Sequence, residues 1–160
     1  MRVLWRISEY ADLAGFGGEK GSARWHTAAP GKRIVYLAEH PAASLLETLV
    51  NLKGNPQFFP ESFRLLKVKA AENVSMLMLA PELLSENWRD NKDETRSLGD
   101  RWLNERHSAL LAVPSAPSPE STNYLLNPLH QEAEGVAIEW YKRIKYDKRL
   151  FHFSTEPGMK

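Results

Sequence analysis

The amino-acid sequence predicts an α+β fold. Three observations carry that reading. Apolar stretches of strand length recur from residues 1–8 to residues 136–144. Stretches with helical spacing, chiefly 42–53 and 94–105, lie among them. The two kinds are interspersed without the regular strand–helix alternation of a parallel βαβ array. The chain has 160 residues, 42% hydrophobic, 26% charged and 10% aromatic. Those are ordinary values for one folded unit, and no linker, repeat or low-complexity tract divides it, so residues 1–160 are expected to form a single domain.

The elements follow in order. Residues 1–8 read as a strand, with Val3, Trp5 and Ile7 alternating against Arg2, Leu4, Arg6 and Ser8. Residues 14–22 hold Gly15, Gly17, Gly18 and Gly21 and read as an exposed loop. Residues 32–38 form a second strand, entered from Pro30-Gly31. Pro41 opens a helix over 42–53, and Gly54-Asn55-Pro56 closes it. A third strand spans 63–70 and a short one falls within 74–79. Helices are expected at 81–88 and 94–105, where Leu98 and Trp102 share a face. The run at 108–113 is apolar without alternation, the mark of a strand buried on both sides. Prolines 114, 117 and 119 forbid a strand at 114–119, and Asn127-Pro128 is a second break. The last strands are placed at 136–144 and 149–153, and residues 154–160 read as a frayed tail.

Charge and composition exclude several functions. Lys and Arg number 21 against 20 Asp and Glu, a net charge of +1. Such a balance produces no strong field for gathering nucleic-acid phosphates. The absence of cysteine removes disulfide scaffolds, thiolate zinc sites and cysteine nucleophiles. His26, His40, His107, His130 and His152 show no metal-ligand spacing, so no metal site is expected. No apolar run reaches the roughly 20 residues needed to span a bilayer. Residues 1–10 lack the apolar core of a secretory signal, so a cytoplasmic location is expected, without membrane contact.

The candidate residues are few, and each has an ordinary explanation. The glycine segment lacks the spacing of a nucleotide-binding loop. Arg24 beside Trp25 offers a planar fork for phosphate or carboxylate, or simply stacks on a ring. Tyr36, on a strand, suits a ring-shaped ligand or the edge of a core. At about 100° per residue, Glu47 lies opposite Leu45, Leu49 and Leu52, on a polar face that is solvated unless it lines a cleft. Ser115 ends an apolar strand on a stiffened loop. These residues alone identify no reaction.

The order of short motifs is more specific. It runs from Leu4-Trp5-Arg6-Ile7 through Gly21-Ser22-Ala23-Arg24-Trp25-His26 and Val35-Tyr36-Leu37-Ala38 to Leu45-Leu46-Glu47-Thr48-Leu49. It continues with Ala109-Leu110-Leu111-Ala112-Val113-Pro114-Ser115-Ala116 and Asn123-Tyr124-Leu125-Leu126-Asn127-Pro128. In this the chain resembles the RES-domain family, toxins of RES–Xre toxin–antitoxin modules. The family's namesake arginine, glutamate and serine fall on Arg24, Glu47 and Ser115. One departure is Ser22-Ala23, where many members carry glycines.

The resemblance implies an ADP-ribosyltransferase-like fold, with small curved sheets and flanking helices around an NAD⁺ cleft. It implies cleavage of the nicotinamide–ribose bond by water or phosphate, so that NAD⁺ is a substrate, inorganic phosphate a co-substrate in one variant, and no cofactor is needed. Glu47 would stabilise the oxocarbenium-like charge on the ribose, as carboxylates do in glycoside hydrolysis. Arg24 would grip the pyrophosphate and Tyr36 would stack on nicotinamide. Ser115 would hold a phosphate, a ribose hydroxyl or the nucleophile. Asn127 and Arg6 are further pocket candidates. The implied partners are an Xre-type helix-turn-helix antitoxin, which would supply any DNA contact, and a second copy of the chain. A protein ADP-ribosyltransferase using the same pocket is the alternative. A non-catalytic binding module is a third reading.

Overall fold

The run at 108–113 does become a strand buried on both faces. In the computed structural model, which describes residues 1–52, 57 and 63–151, it is β5 (Leu110–Pro114). Leu110 and Ala112 enter one hydrophobic cluster, whereas Leu111 and Val113 enter another. The described strands join in one seven-stranded sheet. With β1 (Arg2–Ser8), β2 (Val35–Ala38), β3 (Arg64–Ala70), β4 (Met76–Met78), β6 (Thr122–Leu126) and β7 (Val136–Arg143), its order is β4-β5-β6-β2-β1-β3-β7. β4 runs parallel to β5; the other neighbours pair antiparallel.

Among the described residues three α-helices attend the sheet. α1 (Gly17–Lys20) is a single turn, α2 (Pro41–Asn51) follows β2, and α3 (Lys92–Glu105) crosses from β4 to β5. Local chemistry sets their starts. His40 Nδ1 accepts the Ala42 amide at 3.1 Å ahead of Pro41, and Asn91 Oδ1 accepts the Glu94 amide at 3.3 Å. Arg106 ends α3 in the left-handed region, at φ 52°.

The inner cluster draws on β1, β2, β3, β5, β6 and β7, with Leu4, Val35, Leu66, Leu110, Leu126 and Val136 among its members. The other cluster packs α3 and the segment before β2 on the opposite face, through Trp25, Trp88, Trp102, Leu111 and Leu125. Its centre is wired by Trp102 Nε1, which donates to Ser108 Oγ at 2.9 Å.

Several expectations change. The glycine segment is no free loop: it contains α1, and the Ile34 amide donates to the Gly15 carbonyl at 3.3 Å. At 81–88 only a 3₁₀ turn forms, Pro81–Leu83. β5 runs on through Pro114, the final residue of its ladder, where a missing N–H costs least. β6 was not expected as a strand at all. Both of its faces are buried, so it shows no alternation of apolar and polar residues. Lys148–Phe151 is a 3₁₀ turn rather than a strand. β1 buries Leu4 and Ser8, whereas Val3 is exposed and Trp5 packs edge-on against Trp140 on the outer side. The breaker Gly54-Asn55-Pro56 and the tail 154–160 lie outside the described residues.

Candidate active site

A cavity of about 560 Å³ opens beside β1, β2 and β6. That is within the range of roughly 300–1,000 Å³ typical of small-molecule sites. Its walls come from at least six separate parts of the chain. Arg6 comes from β1, the stretch from Gly21 to His26 from the loop after α1, Tyr36 from β2, and Glu47 from α2. Lys92 and Arg96 of α3 and Asn123 of β6 complete it.

The helical expectation for Glu47 is met in an informative way. Ser44, Glu47, Thr48 and Asn51 lie three and four residues apart on α2, and all four line the cavity. The polar face opposite Leu45, Leu49 and Leu52 is therefore a wall of the cavity.

Glu47 is held by two donors at one oxygen. Ser115 Oγ donates to its Oε1 at 2.8 Å, and Asn123 Nδ2 donates to the same atom at 2.6 Å. Ser115 is 1% exposed, is not among the lining residues, and accepts the Ser118 amide at 3.3 Å. Its hydroxyl is thus committed to Glu47, and a direct grip on substrate is not what this geometry offers.

Arg24 faces Glu47 across the cavity. Burial pulls its pKa down, and the negative charge of Glu47 is the largest opposing influence. Its guanidinium lies 5.7 Å from the Trp88 ring centroid, and its Nη1 approaches the Trp88 carbonyl at 3.5 Å. The ring beneath it is thus Trp88, 64 residues on, and not its neighbour Trp25. Thr95 Oγ1 donates to the Arg24 carbonyl at 2.6 Å, and Arg96 Nε donates to that of Ala23 at 2.8 Å. α3 therefore clamps the segment that carries Arg24.

The Tyr36 hydroxyl is used up inside the protein. It accepts the Trp25 amide at 3.1 Å and lies 2.8 Å from His26 Nδ1. Burial raises its pKa. The pKa of His26 is lowered, again by burial, with the Gly21 backbone opposing. A neutral His26 whose Nδ1 accepts the Tyr36 hydroxyl satisfies the tyrosine, while the buried Nε2 of His26 has no partner among the described residues. The tyrosine is left to present its ring to a ligand.

Arg6 lines the cavity with its Nη1 buried and without a hydrogen-bond partner among the described residues. Burial lowers its pKa, and Asp12 partly offsets this. Among the described residues the lining thus sets four cations, Arg6, Arg24, Lys92 and Arg96, against a single carboxylate. The field is locally cationic although the whole chain is nearly neutral.

Asn127 does not reach the cavity. It is 2% exposed, donates from Nδ2 to the Leu103 carbonyl at 3.4 Å and accepts the Leu129 amide at 3.0 Å. It ties the end of α3 to the loop after β6, a structural duty. His26 and Asn123 were missed as site residues. Asn123 carried a usable signal, because its amide lies next to the apolar run Tyr124-Leu125-Leu126.

The match with the RES domain covers residues 3–151. The chain belongs to the RES-domain family. Among curated relatives, "Toxin Res" of Pseudomonas putida is 43% identical over 149 residues, which is 93% of this chain and 99% of that one. The "Prs ADP-ribosylating toxin" of a Sphingobium species is 34% identical over 92% of this chain and 95% of its own. The solved M. tuberculosis MbcT–MbcA toxin–antitoxin complex contains a chain with the same fold, at a TM-score of 0.73. That alignment spans 89% of this chain and 84% of the other, at 14% identity. No helix among the described residues is long and apolar enough to cross a membrane.

Proposed function

We propose that this RES domain is the toxin of a toxin–antitoxin pair and that it consumes NAD⁺ by breaking the nicotinamide–ribose bond. The observation that carries the reading is the cavity itself. Among the described residues a single carboxylate, Glu47, sits among four cations beside an aromatic ring whose hydroxyl is already engaged. A dinucleotide presents the matching set: two phosphates, ribose hydroxyls and a flat cationic ring.

The steps follow from charge. The C1′–N bond breaks heterolytically, and its electron pair goes to the pyridinium nitrogen, so nicotinamide leaves neutral. Positive charge grows on the ribose, where Glu47 stabilises it. No acid is needed for the leaving group, which agrees with one carboxylate in the cavity. Arg24 and Arg6 hold the pyrophosphate, with a bidentate fork fixing its position as well as its charge. Tyr36 lies against the nicotinamide ring. Water or inorganic phosphate then attacks C1′.

Transfer to a protein acceptor is the second reading, and it is favoured by the relative named as an ADP-ribosylating toxin. An Xre-type antitoxin, the sole contact with DNA, and pairing of two copies of this chain belong to the same proposal.

The test is incubation of the purified chain with labelled NAD⁺ in three arms, without inorganic phosphate, with it, and with cell lysate, following nicotinamide and the ribosyl product by mass. Release without phosphate, yielding ADP-ribose, marks a hydrolase. Release that requires phosphate, yielding a phosphorylated ADP-ribose, marks a phosphorylase. Label from NAD⁺ entering protein marks the transferase. Intact NAD⁺ in all three arms would overturn the reading.

A further inference from the structure

We propose that Asn123 is a positioning residue for Glu47, aiming one carboxylate oxygen at the ligand by immobilising the other. The inference rests on the functional reading above and extends it to a residue that has no role there.

A carboxylate has two oxygens, and its carboxyl group rotates unless one is held. Here Oε1 takes both donors, Asn123 Nδ2 at 2.6 Å and Ser115 Oγ at 2.8 Å. The two come from different strands, β6 and the end of β5, whose residues Val113 and Asn123 are paired. Oε1 is therefore fixed by the sheet, and Oε2 is the oxygen left for the cavity. The amide orientation follows from chemistry, because an ionised carboxylate only accepts and Nδ2 is the end that donates.

Asn123 is 8% exposed, and its Oδ1 is buried with no partner among the described residues. Leaving a buried acceptor unpaired costs about 1–3 kcal/mol. A leucine in the middle of this sheet would avoid that cost. The amide is thus poorly explained by stability and well explained by its donor.

The test compares wild type, Asn123→Leu and Asn123→Asp. Leucine keeps the bulk and removes the donor. Aspartate keeps the shape and puts a second carboxylate beside Glu47. Nicotinamide release should show kcat lowered roughly 10- to 100-fold in Asn123→Leu, the loss typical of removing an orienting partner, with KM changed less than about threefold. Asn123→Asp, which repels Glu47 where the amide held it, should lose at least as much kcat. The thermal midpoint of Asn123→Leu should stay within a few degrees of wild type. Wild-type kcat in Asn123→Leu would overturn the proposal, as would a raised KM at unchanged kcat, which would mark a ligand contact. An Asn123→Asp variant that keeps wild-type kcat would also overturn it.

A second measurement separates this from failure of the functional reading. Crystal structures of wild type and Asn123→Leu are compared without substrate. A Glu47 carboxyl group that turns or spreads over several rotamers in the variant supports the clamp even if NAD⁺ proves to be the wrong substrate. A Glu47 carboxyl group held as in wild type sinks it even if NAD⁺ is right.

Discussion

Gly99 of α3 lies directly against the backbone of Trp25. A Cβ at position 99 would stand 1.7 Å from the Trp25 carbonyl oxygen and 2.7 Å from its carbonyl carbon. Nothing flexible is available to yield, because the obstructing atoms are main chain. The contact sits one residue beyond Arg24, whose own carbonyl receives Thr95 Oγ1. Gly99→Ala is therefore expected to push the arginine segment off α3. Overpacking of this kind costs typically about 1–3 kcal/mol. A lower thermal midpoint together with a raised KM for NAD⁺ is the expected outcome. A variant matching wild type in both would show that α3 does not set the position of Arg24.

Arg24 and Glu47 should separate in kinetics. On the proposed function Glu47 acts on charge that develops during bond breaking, so Glu47→Gln should lower kcat roughly 10²- to 10³-fold and leave ligand affinity nearly intact. Arg24, on the same proposal, holds charge that is already present. Losing a charge-assisted hydrogen bond worth about 1.5–3 kcal/mol should raise KM by about 10- to 100-fold in Arg24→Ala. Steady-state nicotinamide release, with calorimetric binding of NAD⁺ to the Glu47→Gln variant, checks both.

Tyr36 should tolerate loss of its hydroxyl better than loss of its ring. Tyr36→Phe leaves the Trp25 amide and His26 without their partner and should lower the thermal midpoint. Its kcat/KM should nevertheless stay within about fivefold of wild type. Tyr36→Ala removes the stacking surface, worth about 1–3 kcal/mol per base in comparable settings, and should cost about tenfold or more. A Tyr36→Phe variant as inactive as Tyr36→Ala would give the hydroxyl a chemical role.

The same pair produces a pH dependence of stability. Burial lowers the His26 pKa in the folded chain below its unfolded value near 6.5. In the window between the two values the unfolded state binds more protons. Stability therefore rises with pH there and is fully present above about 6.5. It declines as the pH falls below that point. Urea midpoints at a series of pH values should show the decline in wild type and a flatter curve in His26→Gln. Equal slopes in the two proteins would reject His26 as the source.

Much of this was legible before any coordinates. β1, β3, α2 and α3 follow from spacing, and β5 from its unbroken apolar run. β6 was hidden by the same physics that revealed β5. Its two faces are both buried, and it sits directly ahead of Asn127-Pro128, so Thr122–Leu126 shows neither alternation nor isolation. The glycine segment misled differently, since glycine marks a bend without saying whether the bend is pinned. Gly18 is pinned: a Cβ there would meet the Lys32 carbonyl at 2.8 Å. Glu47 shows where periodicity stops. Spacing places it on the polar face of α2, and only the assembled sheet decides whether that face meets water or a ligand. Ser115 and Asn127 were recognisable as polar residues in apolar surroundings, yet their directions were not. One turns to Glu47 and the other to the end of α3.

The place of β6 in the sheet bears on when the chain becomes dangerous to the cell that makes it. Arg24, Tyr36 and Glu47 all leave the ribosome early, but β2 has no partner on its β6 side until residues 122–126 emerge. Until then the carboxylate also lacks Asn123 and Ser115. A nascent chain that carries every one of those three residues therefore still lacks the assembled site. On the proposed function, activity waits until β6 pairs with the central strand β2, and that delay is time in which a neutralising partner can be synthesised.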